Sequence, residues 1–222
     1  MAHDIRCPGR VAGRQRHNES YNMLSADSIR EALSPHVPKT SRFVADRDHA
    51  AVALALGGDD SDLQLCLIRR VEKTGDPWSG HMALPGGRAS PGDATARAVA
   101  ERETREEVGL DLRGAHLLGE LSELPVRLGG VETSMILSSF VYYLGPMRAK
   151  LIPNEEVADA YWVSLDHLWD QRNATYLSVL RQGDSLVFPA IRFREHLIWG
   201  LTLRVLTLFS DALGAPLPHV EA

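Results

Sequence analysis

The stretch RETREEVGL, Arg102 to Leu110, puts three glutamates and two arginines into nine residues and ends at Gly109, a residue suited to a left-handed helix cap. Asp93 is a short acceptor suited to an N-cap, so the spacing predicts a helix from about Ala94 to Val108. At about 100° per residue, with Ala94 as zero, Glu106, Glu103 and Glu107 fall near 120°, 180° and 220°, within one arc of about 100°. Ala96, Val99 and Ala100 share that sector, while Arg97, Glu101, Arg105 and Val108 occupy the other side. A solvated charged face, held by i,i+4 pairs such as Glu101 with Arg105, belongs opposite the apolar residues. These three carboxylates instead lie beside them, where like charges must be neutralised or protonated. A divalent cation is an economical remedy.

Outward from this helix the pattern is alternately extended and helical. SADSIREALSPH reads as a short helix capped by Ser25 or Asp27 and ended before Pro35. HAAVALALGGDDSDLQLCLIRR reads as two strands around the turn formers Gly57 to Asp60, with a nearly all-apolar and therefore central first arm. HMALPGGRASPGD reads as a short apolar segment, a Pro-Gly-Gly turn and a loop before the acidic helix. AHLLGELSEL, TSMILSSFVYYL and VADAYWVSL are further strands, LDHLWDQ is helical, SLVFPAIRF extended and LIWGLTLRVLTLFSDAL helical. The order predicts a mixed α/β or α+β sandwich with a sheet between helices.

The 222 residues are 44% hydrophobic and 24% charged, which suits one main core. Residues 1–22 read as a loose tail and 23–222 as a single domain; Met23 opens the more regular sequence, so a start at Met1 or at Met23 stays open. A net charge of −5 gives no general attraction to nucleic acid or an anionic membrane, so a polyanionic small molecule must be held locally, by arginines or a metal. LIWGLTLRVLTLF, interrupted by Arg204, is too short to span a bilayer. Cys7 and Cys66 build neither a disulfide framework nor a zinc site, and a reducing cytoplasm is the expected location.

Clustered carboxylates are hard ligands suited to Mg²⁺ or Mn²⁺, ions that recruit substrate phosphates. The matching chemistry is attack of water on phosphorus with Glu106 or Glu107 taking its proton and no covalent enzyme intermediate. GRASPGDATARAVAERETREEVGL, Gly87 to Leu110, resembles the signature of the Nudix hydrolases, G-x5-E-x7-R-E-U-x-E-E-x-G-U with U aliphatic. Asp93 stands in place of the first glutamate, with one extra residue before Arg102, and Thr104 holds an aliphatic position. That spacing, with LPGGR before it and SGHMALPGG upstream, is similar to the coenzyme A pyrophosphatase subgroup, although Leu84 replaces a phenylalanine and Gly75 and Asp76 stand near where that subgroup carries an arginine.

The resemblance implies an α/β/α sandwich around a mixed sheet and a small nucleotide substrate, with coenzyme A or an acyl-coenzyme A leading. It implies that Glu103 and Glu107 ligate the metal, with Glu106 a further ligand directly or through water. Arg102 would orient a carboxylate through a bidentate pair. Gly86 and Gly87 would admit close approach of metal and diphosphate, Gly87 through its carbonyl. Homodimers are common among such proteins. ADP-ribose, a dinucleotide or a nucleoside triphosphate is the rival substrate, and a non-catalytic ligand sensor on the same fold is the rival of another class.

Other residues carry two readings each. Asp93 is a helix cap before it is a ligand. Glu155 and Glu156 are solvated loop acids unless one supplies a base or a ligand. Arg69, Arg70, Arg88 and Arg127 are phosphate contacts or surface pairs. His81 precedes the Pro-Gly-Gly turn and reads as surface polar, with substrate contact as the alternative. Trp78, Trp162, Trp169 and Trp199 read as core anchors, with base stacking a second option for Trp78.

Overall fold

Strand β1, His49–Gly57, is buried along almost its whole length because its two faces serve two different cores. Ala51, Ala53 and Ala55 face one cluster, and Leu54 and Leu56 the other. The alanine face is low, which lets a helix carrying small residues settle close to the sheet. The computed structural model describes residues 24–45, 48–76, 78–128, 131–181 and 184–218. The expected tail and the alternative start at Met23 lie outside them.

The remaining elements are β2 (Gln64–Arg70), β3 (Met82–Ala83), β4 (Gly86–Arg88), β5 (His116–Leu128), β6 (Val131–Tyr143), β7 (Val157–Ser164), β8 (Ala174–Arg181), β9 (Asp184–Phe193) and β10 (His196–Trp199). The helices are α1 (Ala26–Leu33), α2 (Ala96–Val108), α3 (Leu165–Trp169) and α4 (Gly200–Ala212). A seven-stranded sheet runs β3-β2-β1-β6-β5, with β4 also pairing β1 and β7 pairing β2. Its β1–β6 pair is parallel and its other pairs antiparallel, so the sheet is mixed. α2 packs over the alanine face, while Ile29 and Leu33 of α1 and Leu206 and Phe209 of α4 join the opposite core. This is the expected sandwich.

Four details depart from the sequence reading. The N-cap of α2 is Thr95, whose side chain accepts from the Ala98 N–H, not Asp93. Glu101 is paired by Arg97, not by Arg105, and accepts from the Tyr142 hydroxyl at 3.0 Å. The last helix begins at Gly200, because His196–Trp199 pairs with β9 as β10 and Gly200, at φ 61°, turns the chain out of the strand. Strand β8, absent from the sequence reading, completes a separate β8-β9-β10 sheet.

Thr104 is fully buried in α2 and its hydroxyl has no hydrogen-bond partner among the described residues. An unpaired buried hydroxyl costs stability that a methyl group does not. Thr104→Val is expected to raise the unfolding free energy by about 1 kcal/mol, read as a shift in the urea midpoint at unchanged slope.

Candidate active site

Gly109 ends α2 in the left-handed conformation and sends the chain away, so the last two turns of the helix lie with their acids against β4. The buried arc of α2 holds Ala96, Val99, Ala100, Thr104, Glu107 and Val108. Glu107 therefore sits inside the apolar face, 2% exposed, while Glu106 lies half-exposed at its rim. Val108, expected on the far side, belongs to the buried arc.

β4 brings the glycines to these acids. The Gly86 N–H donates to Glu107 Oε2 at 2.8 Å. A Cβ on Gly87 would stand 2.5 to 2.7 Å from the Glu103 carboxyl atoms, so the missing side chain is the space that carboxylate fills. Asn154 N–H donates to the Glu107 carbonyl and Ile152 N–H to that of Val108, tying the loop before β7 to the end of the helix. That loop carries Glu156, whose charge faces Glu103 and Glu107.

Arg102 is the hub. Its Nε and Nη2 donate to the two oxygens of Asp93, at 3.0 and 2.9 Å, and its Nη1 donates to Glu103 Oε1 at 2.8 Å and Glu106 Oε2 at 3.0 Å. Its Nη2 also meets the Arg88 carbonyl at 3.2 Å. The bidentate carboxylate expected for Arg102 is thus Asp93, which the guanidinium holds below the usual aspartate range. Asp93 acts neither as the helix cap nor as a fourth acid in the cluster; it fixes the arginine.

Among the described residues no three His, Cys, Asp or Glu side chains stand grouped as a metal cage, because Arg102 lies between Glu103 and Glu106. That guanidinium offsets the like charges of Glu103 and Glu106. Burial pushes Glu107 up to about 8, with the Gly86 N–H opposing and the Glu103 charge adding to it. Burial also raises Glu103, against the pull of Arg102. The donor set fits a hard divalent cation: carboxylates and a backbone carbonyl supply only oxygen. The nearby Cys66 thiol is raised by burial and by the Glu107 charge, so it offers no thiolate for a soft metal.

The arginines divide. Arg69 Nε and Nη2 are both held by Asp159 on β7, at 2.9 and 2.7 Å. Its neighbour Arg70 donates to Asp76 at 3.1 Å and brings Nη1 to 4.0 Å from Glu107 Oε1. Of this adjacent pair, the guanidinium beside the acids is therefore Arg70, which joins Arg102 there, while Arg69 is occupied by a strand pair. Arg88 lies over the Trp78 ring at 5.9 Å, and Arg127 stands near the β5–β6 turn. The signal that separates Arg70 from Arg69 is strand alternation, readable only once the face of β2 turned to α2 is known.

The Nudix domain model matches residues 47–181, more than half of the chain. This chain belongs to the Nudix family. It is a Nudix hydrolase, of the class acting on phosphoric anhydrides, whose members use divalent cations and small-molecule nucleotide substrates. A human protein named mitochondrial coenzyme A diphosphatase NUDT8 is 32% identical over 179 residues, which is 80% of this chain and 74% of that protein. A Schizosaccharomyces pombe protein is 44% identical over 105 residues, 46% of this chain, and the match spans only 32% of that relative's length. The crystal structure of a MutT/nudix family protein from Enterococcus faecalis superposes with a TM-score of 0.51 at 17% identity, covering 79% of this chain and 66% of that one. That likeness establishes the Nudix fold. No helix of the described residues is long and apolar enough to cross a membrane.

Proposed function

We propose that residues 23–222 form one catalytic unit, a Mg²⁺- or Mn²⁺-dependent pyrophosphohydrolase that cleaves the diphosphate of coenzyme A or an acyl-coenzyme A, giving 3′,5′-ADP and a phosphopantetheine. The observation that carries this reading is the pairing of Glu107 with the Gly86 N–H and of Glu103 with the space over Gly87, which sets two carboxylates against one stretch of backbone beside an arginine. Glu103, Glu106, Glu107 and the Gly87 carbonyl would hold the cation. Bound there, it screens phosphate charge and acidifies water.

The chain's own groups supply the rest. Arg102, held by Asp93, keeps Glu103 and Glu106 aligned. Glu107 is suited to take the proton of the attacking water, and Glu106 at the open rim is the other candidate. Arg70 stands where a phosphate oxygen would meet both it and the acids. The subgroup likeness and the human relative named a coenzyme A diphosphatase support the substrate. The free, buried Cys66 suits a reducing compartment such as the cytoplasm.

One observation favours a second reading. Asp76, near the place where the coenzyme A subgroup carries an arginine, is bound by Arg70 and adds negative charge to the loop. A substrate without a third phosphate, such as ADP-ribose or a dinucleotide, suits that loop better. Turnover of coenzyme A, acetyl-coenzyme A, ADP-ribose, diadenosine diphosphate and nucleoside triphosphates, with and without Mg²⁺ or Mn²⁺ and with products separated by chromatography, decides between them. Coenzyme A is expected to show the highest kcat/KM and to need the cation. If it is the poorest of the set, the substrate assignment is wrong; if nothing is cleaved under any condition, the ligand-sensor reading takes its place.

A further inference from the structure

The rim of the site beyond Arg70 is aromatic. β2 and β3 are antiparallel, with Ile68 opposite Ala83 and Arg69 opposite Met82, and the Arg70 N–H continues the ladder to the His81 carbonyl at 3.0 Å. Arg70 and His81 are thus cross-strand neighbours on the same face of the sheet, close enough for their side chains to meet. The His81 ring feels the charges of Asp76 and Arg70, so it stands beside the guanidinium that reaches Glu107. Its ring is half-buried and lies 4.8 Å from that of Trp199 on β10, which in turn lies 5.7 Å from Phe188 on β9. Thr202 of α4 donates to the Met82 carbonyl at 3.0 Å and fixes β3 against the start of that helix. What the β8-β9-β10 sheet brings to the site is a backing for His81.

A flat ring packed at a tilt against Trp199, which is itself supported by Phe188, and adjoining a guanidinium leaves a face on which another flat ring can lie. We infer that His81, backed by Trp199 and Phe188, is the platform on which the aromatic base of the nucleotide substrate stacks, and that it determines specificity for a base-bearing diphosphate. Burial lowers the His81 pKa, so the ring is neutral at physiological pH and offers a π-face instead of competing with Arg70 for phosphate. This rests on the diphosphate reading above and deepens it.

AMP and ribose 5-phosphate differ only in the base, and phosphopantetheine carries the arm without one. Calorimetric titration of the full chain with each, in the presence of Mg²⁺, tests the platform. The wild type is expected to prefer AMP over ribose 5-phosphate, and His81→Ala to weaken AMP roughly tenfold, as loss of one stacked ring does, with ribose 5-phosphate and phosphopantetheine held within about twofold. His81→Phe, which keeps the ring, is expected to retain the preference, and it stands in for the alanine variant should that one fail to fold, with His81→Leu as its ring-less counterpart. A wild type that binds AMP and ribose 5-phosphate alike, equal weakening of all three ligands, or loss confined to phosphopantetheine would each overturn the platform. Failure of the substrate panel with an intact AMP preference that is lost in His81→Ala would remove the coenzyme A assignment and leave the platform standing.

Discussion

Glu107→Gln is expected to lower turnover by at least ~10²-fold, because a ligand and a proton acceptor are lost together. The fold should remain, and the reason lies in where the side chain sits. Glu107 is buried and its carboxyl takes one hydrogen bond from Gly86, which the glutamine carbonyl can also accept. The substitution removes a group that must be desolvated when charged and puts a neutral amide of the same size in its place.

That desolvation also sets a pH dependence with a definite sign. Burial pushes the Glu107 carboxyl in the folded protein up to about 8, above the ordinary glutamate value of 4.5. The native state therefore binds more protons than the unfolded chain between those values, and stability falls as pH rises through that window. Metal-free wild type is expected to lose thermal stability from about pH 5 towards pH 8, and Glu107→Gln to flatten the decline. A divalent cation binds the carboxylate form, so its affinity for the wild type should rise over the same window. Unchanged turnover would remove Glu107 from the mechanism; a decline in stability identical in both proteins would place its origin at another group.

The two glycines of β4 should fail in different ways. Gly86 has φ 150°, and a Cβ there would meet the Ala51 carbonyl oxygen at 2.2 Å and the Val52 Cα at 2.6 Å, both backbone atoms of the central strand. Gly86→Ala is expected to cost about 3 kcal/mol or more, since β1 cannot give way. The three atoms nearest a Cβ on Gly87 all belong to the end of the Glu103 side chain, which can swing aside. Gly87→Ala is therefore expected to leave the unfolding midpoint nearly unchanged while weakening the cation ~10-fold or more through a displaced carboxylate. Urea titrations beside Mn²⁺ binding followed by paramagnetic resonance separate the two outcomes. If both variants lose stability alike, the space over Gly87 is structural and does not belong to the metal site.

Much of this was readable from local chemistry. Ser25 caps α1, Gly109 caps α2, and the apolar run of β1 is the central strand, each for a reason carried by the residue and its near neighbours. The same holds for the face shared by Glu103 and Glu107, since a helix converts spacing into direction. Boundaries were weaker where one residue chose between states. Thr95 outcompeted Asp93 for the cap because Arg102, nine positions on, claimed both oxygens of the aspartate. Trp199 and its neighbours joined a strand because β9 offered a partner, although their own pattern was helical.

What the sequence by itself determined is the acidic helix, its C-terminal cap at Gly109 and the direction that carries Glu103 and Glu107 inward, because helical periodicity is a property of consecutive residues. Only the tertiary structure decided which cations answer those acids and what stands at the rim. Arg70 and not Arg69 reaches Glu107, Asp93 holds Arg102, and His81 is seated on Trp199. Those choices depend on strand register and on contacts that run from nine residues apart, as Asp93 to Arg102, to more than a hundred, as His81 to Trp199, where a side chain's partner is set by which backbones pair and not by its neighbours in the chain.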